Sequence, residues 1–420
     1  MQKFKRIRGT QDILPEQSGL WQKIEQSIRT CMDHFNYMEL RTPVFEQTEL
    51  FARGIGEATD MVAKEMYTFL DRGQKSLTLK PEMTAPMMRA YIENNLAVKS
   101  GFTKIYYISP LFRQENPQAG RLRQFHQFGA EALGSGTADI DAEIILLATE
   151  IFRRVGVTDL KVMINSVGDP ESREAYRTIL KSYLNPLLNQ YCENCQKRFE
   201  TNPLRILDCK ERNCRNLNRH APKLIDHLNP GCQTHFDQVK VLLADNGIKY
   251  EINPYLVRGL DYYTRTVFEI TSQELGSQDA ICGGGRYDLL AEQLGGEPTP
   301  AVGFAAGMER LLMVLEAQKK LPEIKENLQI FIAPMGERAS RQSLSLLHRL
   351  RQNGYKSDRD YSLRSLKAQM REANRQHAKL VILLGDNEME NRQYLIKDMV
   401  NGQQFSVPFD AIDEFLQKTL

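Results

Sequence analysis

Arginine side chains and a carboxylate surround a polar turn in the first third of the chain. Arg113 and Glu115 precede the turn NPQAGRLR, which itself contributes Arg121 and Arg123. A guanidinium group can bind phosphate oxygens through two donors and neutralise charge that develops at phosphorus, while a carboxylate can accept from a base amino group or bind magnesium. The pattern is consistent with a phosphate-binding site, and equally with a solvated hairpin that carries ordinary surface charges.

A second group of reactive side chains lies in LVRGLDYYTRTVFEI, where Arg258, Asp261, Tyr262 and Tyr263 fall close together. One cation, one carboxylate and two phenols suit the binding of a small polar substrate. A packed turn that satisfies its own polar groups would have the same composition. The sequence contains neither GxxxxGK(S/T) nor GxGxxG after a strand, so any bound ATP would have to be held by arginines.

Apolar periodicity and turn residues predict the elements that position these groups. The predicted elements, in chain order, are a helix over 19–35, an extended stretch over 39–45, a strand, turn and helix from LTLKPEMTAP through Tyr91, a hairpin over 104–133 with a long arginine-bearing loop, a helix over 139–155, a strand over 160–164, a helical region over about 169–245, and extended structure at TRTVFEI. AICGGGRYDLLAEQLGG is predicted to be a glycine-rich turn that leads into a helix, and VGFAAGMERLLMVLEAQ a small-residue strand that leads into an apolar helix.

The last 93 residues, 328–420, alternate short apolar strands with amphipathic helices, which predicts a separate compact α/β domain. Positions 338 to 379 contain eleven Lys or Arg and three Asp or Glu, a local net charge of +8. The whole chain has a net charge of only +2. A surface for a polyanion is therefore predicted here rather than over the whole protein.

Nothing in the sequence predicts export or a membrane span. The basic first fifteen residues are followed by no apolar run, and no segment approaches eighteen uninterrupted apolar residues. Four of the seven Cys fall between Cys192 and Cys214, and a disulfide framework is not expected. We therefore predict reduced thiols and a cytoplasmic location.

Several peptides resemble the signature motifs of class II aminoacyl-tRNA synthetases. LFRQEN with RLRQF resembles the second motif, GFAAGMERL the third, and RTPVFE around Pro43 the first. LVRGLDYYTRTVFE and CGGGRYD resemble the two peptides peculiar to histidyl-tRNA synthetases, and the matches run in the family's order from about Arg8 to Pro408. The resemblance implies an α+β catalytic domain on an antiparallel sheet over 1–322, a helical insertion over about 169–245, and an α/β anticodon-binding domain over 326–420.

The resemblance also assigns ATP contacts. Arg113 would contact the α-phosphate and the amino-acid carboxylate, Glu115 the adenine end, Arg121 and Arg310 the terminal phosphates, and Phe125 would stack on adenine. Arg258 would be the catalytic arginine near the α-phosphate, so that Arg113 and Arg258 together would stabilise the transition state of histidine activation. Fixed guanidinium groups would cancel the repulsion between two anionic reactants.

For histidine, the family places Glu82, Thr84 and Gln127 around the amino group and Glu131 with Tyr263 at the imidazole. The remaining histidine-binding residues that the resemblance implies are Met83, Arg113, Arg258 and Tyr262, and Gly283, Gly284 and Gly285 would permit close backbone approach. Where the family commonly has Arg-Pro-Glu-Gly-Thr, this chain has Lys80, Pro81, Glu82, Met83 and Thr84. Met83 requires a backbone there without positive φ.

The implied reaction joins histidine to tRNA(His) through histidyl-adenylate, with ATP as substrate and Mg²⁺ accompanying it. A homodimer is implied by the motif around Pro43, and the loop from Asn116 to Gly120 would approach the acceptor end of the tRNA. The alternative is a catalytically inactive paralogue that regulates an ATP phosphoribosyltransferase. Such paralogues generally lack the anticodon domain and the ATP motifs, whereas Arg113 and Arg310 are present here.

Two further features favour less specific roles. Cys192, Cys195, Cys209 and Cys214 could bind structural zinc, but the second pair is separated by four residues rather than the usual two. Free thiols are the favoured interpretation, and no metal ligand is assigned. Strand alternation directs His126 away from Gln127, which predicts a packed or surface role for it rather than general-base catalysis.

Overall fold

A computed structural model describes residues 3–56, 59, 61–207, 209, 211–276, 279–323, 327–362 and 364–420. The chain divides into two compact units, Met1–Pro322 and Glu323–Leu420. Position 326, the predicted start of the C-terminal domain, lies outside the described residues.

The first unit contains a mixture of strands and helices. In chain order they are α1 (Pro15–His34), β1 (Met38–Glu39), β2 (Phe45–Gln47), α2 (Thr48–Ile55), β3 (Tyr67–Leu70), β4 (Ser76–Leu79), α3 (Thr84–Glu93), α4 (Leu96–Ser100), β5 (Thr103–Phe112), β6 (Gln124–Leu133), α5 (Ala138–Val155), β7 (Leu160–Ser166), α6 (Pro170–Leu184), α7 (Glu193–Thr201), α8 (Arg212–Asn218), α9 (Pro230–Asp245), β8 (Tyr250–Ile252), β9 (Thr264–Ser272), β10 (Ala280–Arg286), α10 (Leu290–Gln293), β11 (Ala301–Gly307) and α11 (Met308–Ala317). A π-helical turn at Met61–Glu65 and 3₁₀ turns at Asn185–Gln190, Pro203–Ile206, Leu224–His227 and Gln273–Leu275 complete the list.

A large, mainly antiparallel sheet organises this unit. Its described strands run in the order β1-β5-β6-β11-β10-β9-β7-β8. Only the outermost pairs, β1 with β5 and β7 with β8, are parallel in the described residues. The predicted hairpin is β5–β6, which pairs over its full length from Thr103 opposite Leu133 to Phe112 opposite Gln124. The arginine-bearing loop therefore emerges from one end of two central strands.

The two faces of the sheet are buried in different ways. Alternate residues such as Phe128, Ala130 and Phe304 pack into a core with α1, α5, α9 and α11. The opposite face is covered by a second core that includes Tyr107, Leu111 and apolar residues of α3 and α6. On β6, odd-numbered positions such as Gln127 and Glu131 consequently face the second side together.

The first unit also contains a smaller three-stranded sheet in the order β2-β4-β3. Both outer strands pair antiparallel with β4, so that Phe45 and Tyr67 both lie opposite Leu79. The short strand β4 then leads through Lys80–Met83 into α3. This connection places the KPEMT peptide next to the end of β5.

The second unit consists of β12 (Ile330–Pro334), α12 (Glu337–Gln352), β13 (Ser357–Arg359), α13 (Leu366–Arg375), β14 (Leu380–Leu384), α14 (Asp386–Glu390), β15 (Gln393–Asp398), β16 (Gln404–Pro408) and α15 (Ile412–Thr419). Its described strands form a mixed sheet in the order β13-β12-β14-β15-β16. Ile330 and Ile332 of β12 face one core, while Phe331 and Ala333 face another. The sheet is therefore covered on both faces, which explains the continuous apolar runs in its central strands.

The architecture confirms the predicted fold class, including the helical insertion and the separate C-terminal α/β sheet. The first helix begins at Pro15 rather than at 19, because proline is favoured at the first position of a helix. The prediction of a turn at Gly283–Gly285 was wrong. These glycines lie in β10, between β9 and β11, because pairing on both sides imposes an extended conformation on them.

In the part of the chain that the structure describes, no helix has both the length and the apolar character that a membrane span requires.

Candidate active site

A cavity of about 490 Å³ opens on the second face of the large sheet, at the hairpin end of β5 and β6. The hairpin, the loop before β9, the start of β10 and the start of α11 all contribute to its wall. Its charged lining residues are Arg113, Arg121, Arg205, Arg258, Arg310, Glu65, Glu115, Glu269, Asp279 and Glu309. Five guanidinium groups thus converge with five carboxylates, so that the formal charges cancel.

Arg113 is positioned at the end of β5 by backbone and aromatic contacts. Its Nε donates to the carbonyl oxygen of Pro81 at 2.9 Å. Its guanidinium carbon lies 5.1 Å from the ring centroid of Phe125, across the hairpin. Burial lowers the pKa of Arg113 from its usual value. An arginine nevertheless remains charged at neutral pH, so the cavity holds a fixed, partly desolvated cation.

The tip of the hairpin loop packs against the start of α11. A Cβ at Gly120 would lie 3.5 Å from Cγ of Arg310 and 3.1 Å from the sulfur of Met313, and the φ of +69° at Gly120 also favours glycine. This close approach brings Arg121 into the same cavity as Arg310. Arg121 Nη1 lies 3.4 Å from a carboxylate oxygen of Glu115. Burial and the neighbouring positive charge of Arg121 lower the pKa of Arg310.

Arg258 extends from the loop before β9 over the middle strands. Its Nη1 donates to Oε1 of Glu269 at 3.0 Å, and its guanidinium carbon lies 5.9 Å from the ring of Tyr263. The guanidinium also rests directly on Gly283, where a Cβ would overlap it. The glycine of β10 is therefore required for this position of the arginine.

A buried polar cluster lies beyond Arg258 and contains Glu82, Thr84, Glu131, Tyr263 and Tyr287. We call these residues the inner cluster. Thr84 Oγ1 donates to Glu131 Oε1 at 3.0 Å, and the Tyr287 hydroxyl donates to the other oxygen of Glu131. The backbone amides of Thr84 and Ala85 donate to the two oxygens of Glu82, at 2.7 and 2.9 Å. Tyr262 links the cluster, because its ring contacts those of Tyr263 and Tyr287 at 4.7 and 5.5 Å.

Burial of the inner cluster shifts its titrations. Loss of hydration raises the pKa of Glu131 to about 8, although hydrogen bonds from Tyr287 and Thr84 oppose that change. Burial also raises the pKa of Glu82 against the two amide hydrogen bonds. At neutral pH Glu131 is therefore mostly protonated, and a cation bound beside it would favour its charged carboxylate form. Perturbed carboxyl groups beside a cavity are typical of binding and catalytic sites.

The KPEMT peptide, which differs from the pattern that the family resemblance implied, has an undistorted backbone at Met83. Met83 has φ of −111° and ψ of −22°, so that position needs no glycine, as predicted. The Met83 side chain is buried in the core that covers the second face of the sheet, and it is absent from the described cavity lining. Lys80 is also buried and its ammonium donates to Thr42 Oγ1 at 3.2 Å, while burial lowers its pKa to about 8.

His126 faces away from the cavity, as strand alternation predicted. Its ring packs edge-on against Trp21 with a centroid separation of 5.0 Å. Its Nδ1 lies 3.0 Å from Glu309 Oε1, and its backbone amide donates to the same carboxylate. Gln127, the next residue, lines the cavity. The packed role predicted for His126 is therefore confirmed.

The structure gathers the predicted ATP-binding residues, Gln127 and Arg258 around the cavity, and places Glu82, Thr84, Glu131, Tyr262 and Tyr263 beyond it. Glu269, Tyr287 and Arg205 also belong to this arrangement, although the sequence did not predict them. Glu269 and Tyr287 lie within the quoted peptides TRTVFE and GGGRYD, and β-strand alternation could have identified Glu269. Arg205 comes from the helical insertion, where no local pattern indicates that it reaches the cavity.

Comparisons with known proteins show which families the two units resemble. A family model described as histidyl-tRNA synthetase matches residues 9–311, and one described as an anticodon binding domain matches 329–419. Proteins named histidine–tRNA ligase from Desulforamulus reducens and Halothermothrix orenii are 48% and 47% identical over 412 residues, covering 98% of this chain and 98% of each relative. The crystal structure of apo histidyl-tRNA synthetase from S. aureus has a TM-score of 0.84 and 40% identity, covering 99% of this chain and 100% of that chain.

Proposed function

The chain belongs to the histidyl-tRNA synthetase family, and on that premise we propose that the cavity and the inner cluster form the site where it activates histidine. The reaction is that of a histidine–tRNA ligase. ATP and histidine give histidyl-adenylate and pyrophosphate, and the histidyl group then moves to the 3′ end of tRNA(His). The convergence of five arginines on one cavity beside a buried carboxylate cluster carries the assignment of the site.

Arg113 and Arg258 are proposed to act on the reacting groups. A histidine carboxylate oxygen attacks the α-phosphorus, the new P–O bond forms, and the bond to the pyrophosphate oxygen breaks. Both reactants are anionic, so two guanidinium groups fixed before the reaction reduce their repulsion and stabilise charge on the α-phosphoryl oxygens. The contacts of Arg113 with Pro81 and of Arg258 with Glu269 support this role, because they hold each group in place.

The hairpin is proposed to bind the rest of ATP. Phe125 offers a half-buried ring for stacking on adenine, and Glu115 offers a carboxylate to its amino group. Arg121 and Arg310 lie together at the loop tip and are suited to the terminal phosphates. The packing of Gly120 on Arg310 supports a shared phosphate-binding role for these two arginines.

Mg²⁺ is proposed to accompany ATP. The charges of the lining residues cancel, so the cavity alone offers no net positive charge to a triphosphate. Glu269 and Asp279 line the wall near Arg310 and provide the carboxylate oxygens that a hard cation prefers. When bound, Mg²⁺ would supply charge neutralisation on the phosphate oxygens.

The inner cluster is proposed to recognise histidine. Glu82, Thr84 and Gln127 would receive the ammonium group, and Glu131 with Tyr263 the imidazole. Thr84 and Tyr287 hold Glu131 in a fixed orientation, and each carboxylate oxygen retains a further lone pair. An apolar isostere would leave these buried groups unpaired, which can support discrimination of ~10⁴-fold or more.

The basic segment of the second unit is proposed to contact the anticodon arm of tRNA. Nine of its eleven Lys and Arg side chains are exposed, whereas Asp358, Asp360 and Glu372 are partly or fully buried. Every exposed charged side chain among the described residues of 338–379 is therefore a Lys or an Arg. Lys367 and Arg371 lie one turn apart on α13 and suit contacts to successive phosphates.

A homodimer is proposed from the surface around the first motif. Val44 lies just before β2, and Phe45 is the first residue of β2. Phe69 and Leu70 end β3, which belongs to the same small sheet. All four side chains are exposed. Exposed apolar side chains grouped on one small sheet indicate an interface. A cytoplasmic location is proposed because none of the seven Cys forms a disulfide.

Histidine-dependent exchange of pyrophosphate into ATP tests the assigned site. The wild-type chain should catalyse the exchange without tRNA, and Arg258→Ala should abolish most of it with the fold intact by circular dichroism. Exchange that survives at the wild-type rate in Arg258→Ala would place the chemistry elsewhere. Complete absence of exchange in folded wild-type protein would instead favour the regulatory paralogue.

A further inference from the structure

Four cysteines of the helical insertion converge on one point. Cys192 and Cys195 lie at the start of α7, Cys209 follows the 3₁₀ turn at Pro203–Ile206, and Cys214 lies in α8. Their four Sγ atoms all lie within 4.8 Å of one another, and those of Cys192 and Cys209 are 3.9 Å apart. Segments separated by up to 22 positions thus present their thiols to one small volume.

These distances match the coordination shell of a single tetrahedral ion. A Zn–S bond of about 2.3 Å places neighbouring sulfur atoms of a tetrahedron roughly 3.8 Å apart. None of the seven Cys forms a disulfide. The sulfur atoms of a disulfide would be only about 2.05 Å apart, which is much closer than these four lie. An iron–sulfur cluster would insert several atoms between the thiolates and separate them further. The compact arrangement therefore favours one ion over a cluster.

The wide spacing that argued against zinc has a structural explanation. Four residues separate Cys209 from Cys214, but α8 begins at Arg212 and its first turn directs Cys214 back toward α7. The backbone amide of Cys192 donates to Sγ of Cys214 at 3.3 Å. Such N–H donors stabilise coordinating thiolates and fix their orientation. Residues 192–219 also contain seven Lys or Arg against four Asp or Glu, which offsets the negative charge of a four-thiolate site.

We propose that Cys192, Cys195, Cys209 and Cys214 bind one Zn²⁺ ion in a closed, structural site. Three of the four side chains are buried, and the fourth is partly buried, so no position is left for substrate. The ion ties the two ends of the segment between Cys195 and Cys209. That segment carries Asn202, whose Nδ2 donates to Asp261 Oδ1 at 2.8 Å, and Arg205, which lines the cavity.

The site thus supports the wall of the active site from a distance. The described residues between 192 and 219 form only short helices and turns, with no strand to stabilise them. Metal binding can supply folding energy that a small core lacks. Loss of the ion should therefore loosen Asn202 and Arg205 before it affects the large sheet.

Metal analysis of the full-length chain tests the proposal. Protein purified without chelators from zinc-supplemented cells should contain about one zinc per chain, measured by inductively coupled plasma mass spectrometry. Cys195→Ser and Cys214→Ser should each lower that content severalfold. Cys31→Ser is the matched control, because Cys31 is a buried free thiol in α1, and it should keep the wild-type zinc content.

A spectroscopic measurement on the wild-type chain keeps the proposal testable if the variants do not fold. Zinc-depleted protein titrated with Co²⁺ should develop the sulfur-to-cobalt charge-transfer and ligand-field bands of a tetrahedral tetrathiolate, saturating at one equivalent. Folded wild-type protein that contains no zinc and gives no such bands would overturn the proposal. Zinc content that is unchanged in both cysteine variants, or iron in place of zinc, would also overturn it.

Discussion

An alanine at position 283 should inactivate the enzyme by moving one arginine. A Cβ at Gly283 would overlap Cζ, Nη1 and Nη2 of Arg258, which are its three nearest atoms. The backbone at Gly283 does not have the positive φ that would itself exclude alanine. The conflicting atoms form the far end of a flexible side chain, so the arginine, rather than strand β10, should move.

The size of the effect follows from the overlap. An ordinary contact between carbon and another heavy atom requires roughly 3.5–4.0 Å. Restoring it would displace the guanidinium by more than ~1 Å and weaken its bond to Glu269. A misplacement of about 1 Å can cost ~10²-fold, and removal of one preorganised donor to a transition-state charge costs ~10²–10³-fold in kcat. We expect a loss of kcat in this range, with a smaller change in the KM for histidine.

Pyrophosphate exchange on Gly283→Ala, Arg258→Ala and the double variant measures this coupling. The losses should not add, because both changes remove the same interaction. Gly136→Ala is the control, since a Cβ there would make ordinary contacts with Pro300 at 3.7 Å, and it should retain the wild-type rate. A wild-type rate in folded Gly283→Ala, or a double variant whose loss equals the product of the two single losses, would refute the reasoning.

Three other outcomes are expected. Glu131 has a pKa of about 8 in the free protein because of burial, so it is protonated at pH 7. Binding of histidine should favour the charged carboxylate form of Glu131, so that Glu131 releases its proton. The affinity of the protein for histidine should therefore rise with pH up to about 8. Calorimetry in buffers of different ionisation enthalpy should detect this release, and equal release from Glu131→Gln would contradict the assignment. Arg286→Met should lower the free energy of unfolding by ~3–5 kcal/mol in urea titrations, because it removes the arginine that pairs with buried Asp141 and leaves that carboxylate only His235 as a side-chain partner; an unchanged midpoint would contradict this. Removing the charge of Lys367 or Arg371 should weaken tRNA binding and reduce the slope of log affinity against log salt by about 1 each. Pyrophosphate exchange should remain unchanged, and an equal effect from Lys418→Ala in α15 would argue against a local site.

Much of the fold could be predicted from local patterns. The 18-residue helix α5 and the ten-residue strands of the hairpin have periodicities that identify them without knowledge of their neighbours. The second unit was likewise indicated by alternating apolar strands and helices. These patterns predict helices and strands correctly because the spacing of apolar residues depends on which side of the element is buried.

The family peptides also identified most of the proposed site residues. Arg113, Arg121 and Arg310 lie around one cavity although they come from different elements. The sequence indicated a phosphate-binding role for them because it contains no glycine-rich phosphate-binding loop, so that arginines would have to hold ATP. Their individual roles remain proposals that the exchange experiments test.

Only the tertiary structure decided which distant groups became partners. Arg286, Asp141 and His235 form a buried network, with His235 Nε2 2.7 Å from Asp141 and Arg286 Nε donating to Asp141 at 2.9 Å. No local pattern predicts this contact, because it joins positions 94 and 145 residues apart. The glycines of β10 illustrate the same limit, since locally they indicate a turn.

The four thiols of the insertion make the difference plain. Their spacing alone favoured free cysteines, whereas the start of α8 brings Cys214 to Cys192. The sequence by itself determined which side chains are available for the proposed ATP, histidine and metal sites. The packing of helices and strands decided which of them meet, because contacts between distant segments depend on the energy of the whole fold rather than on local preference.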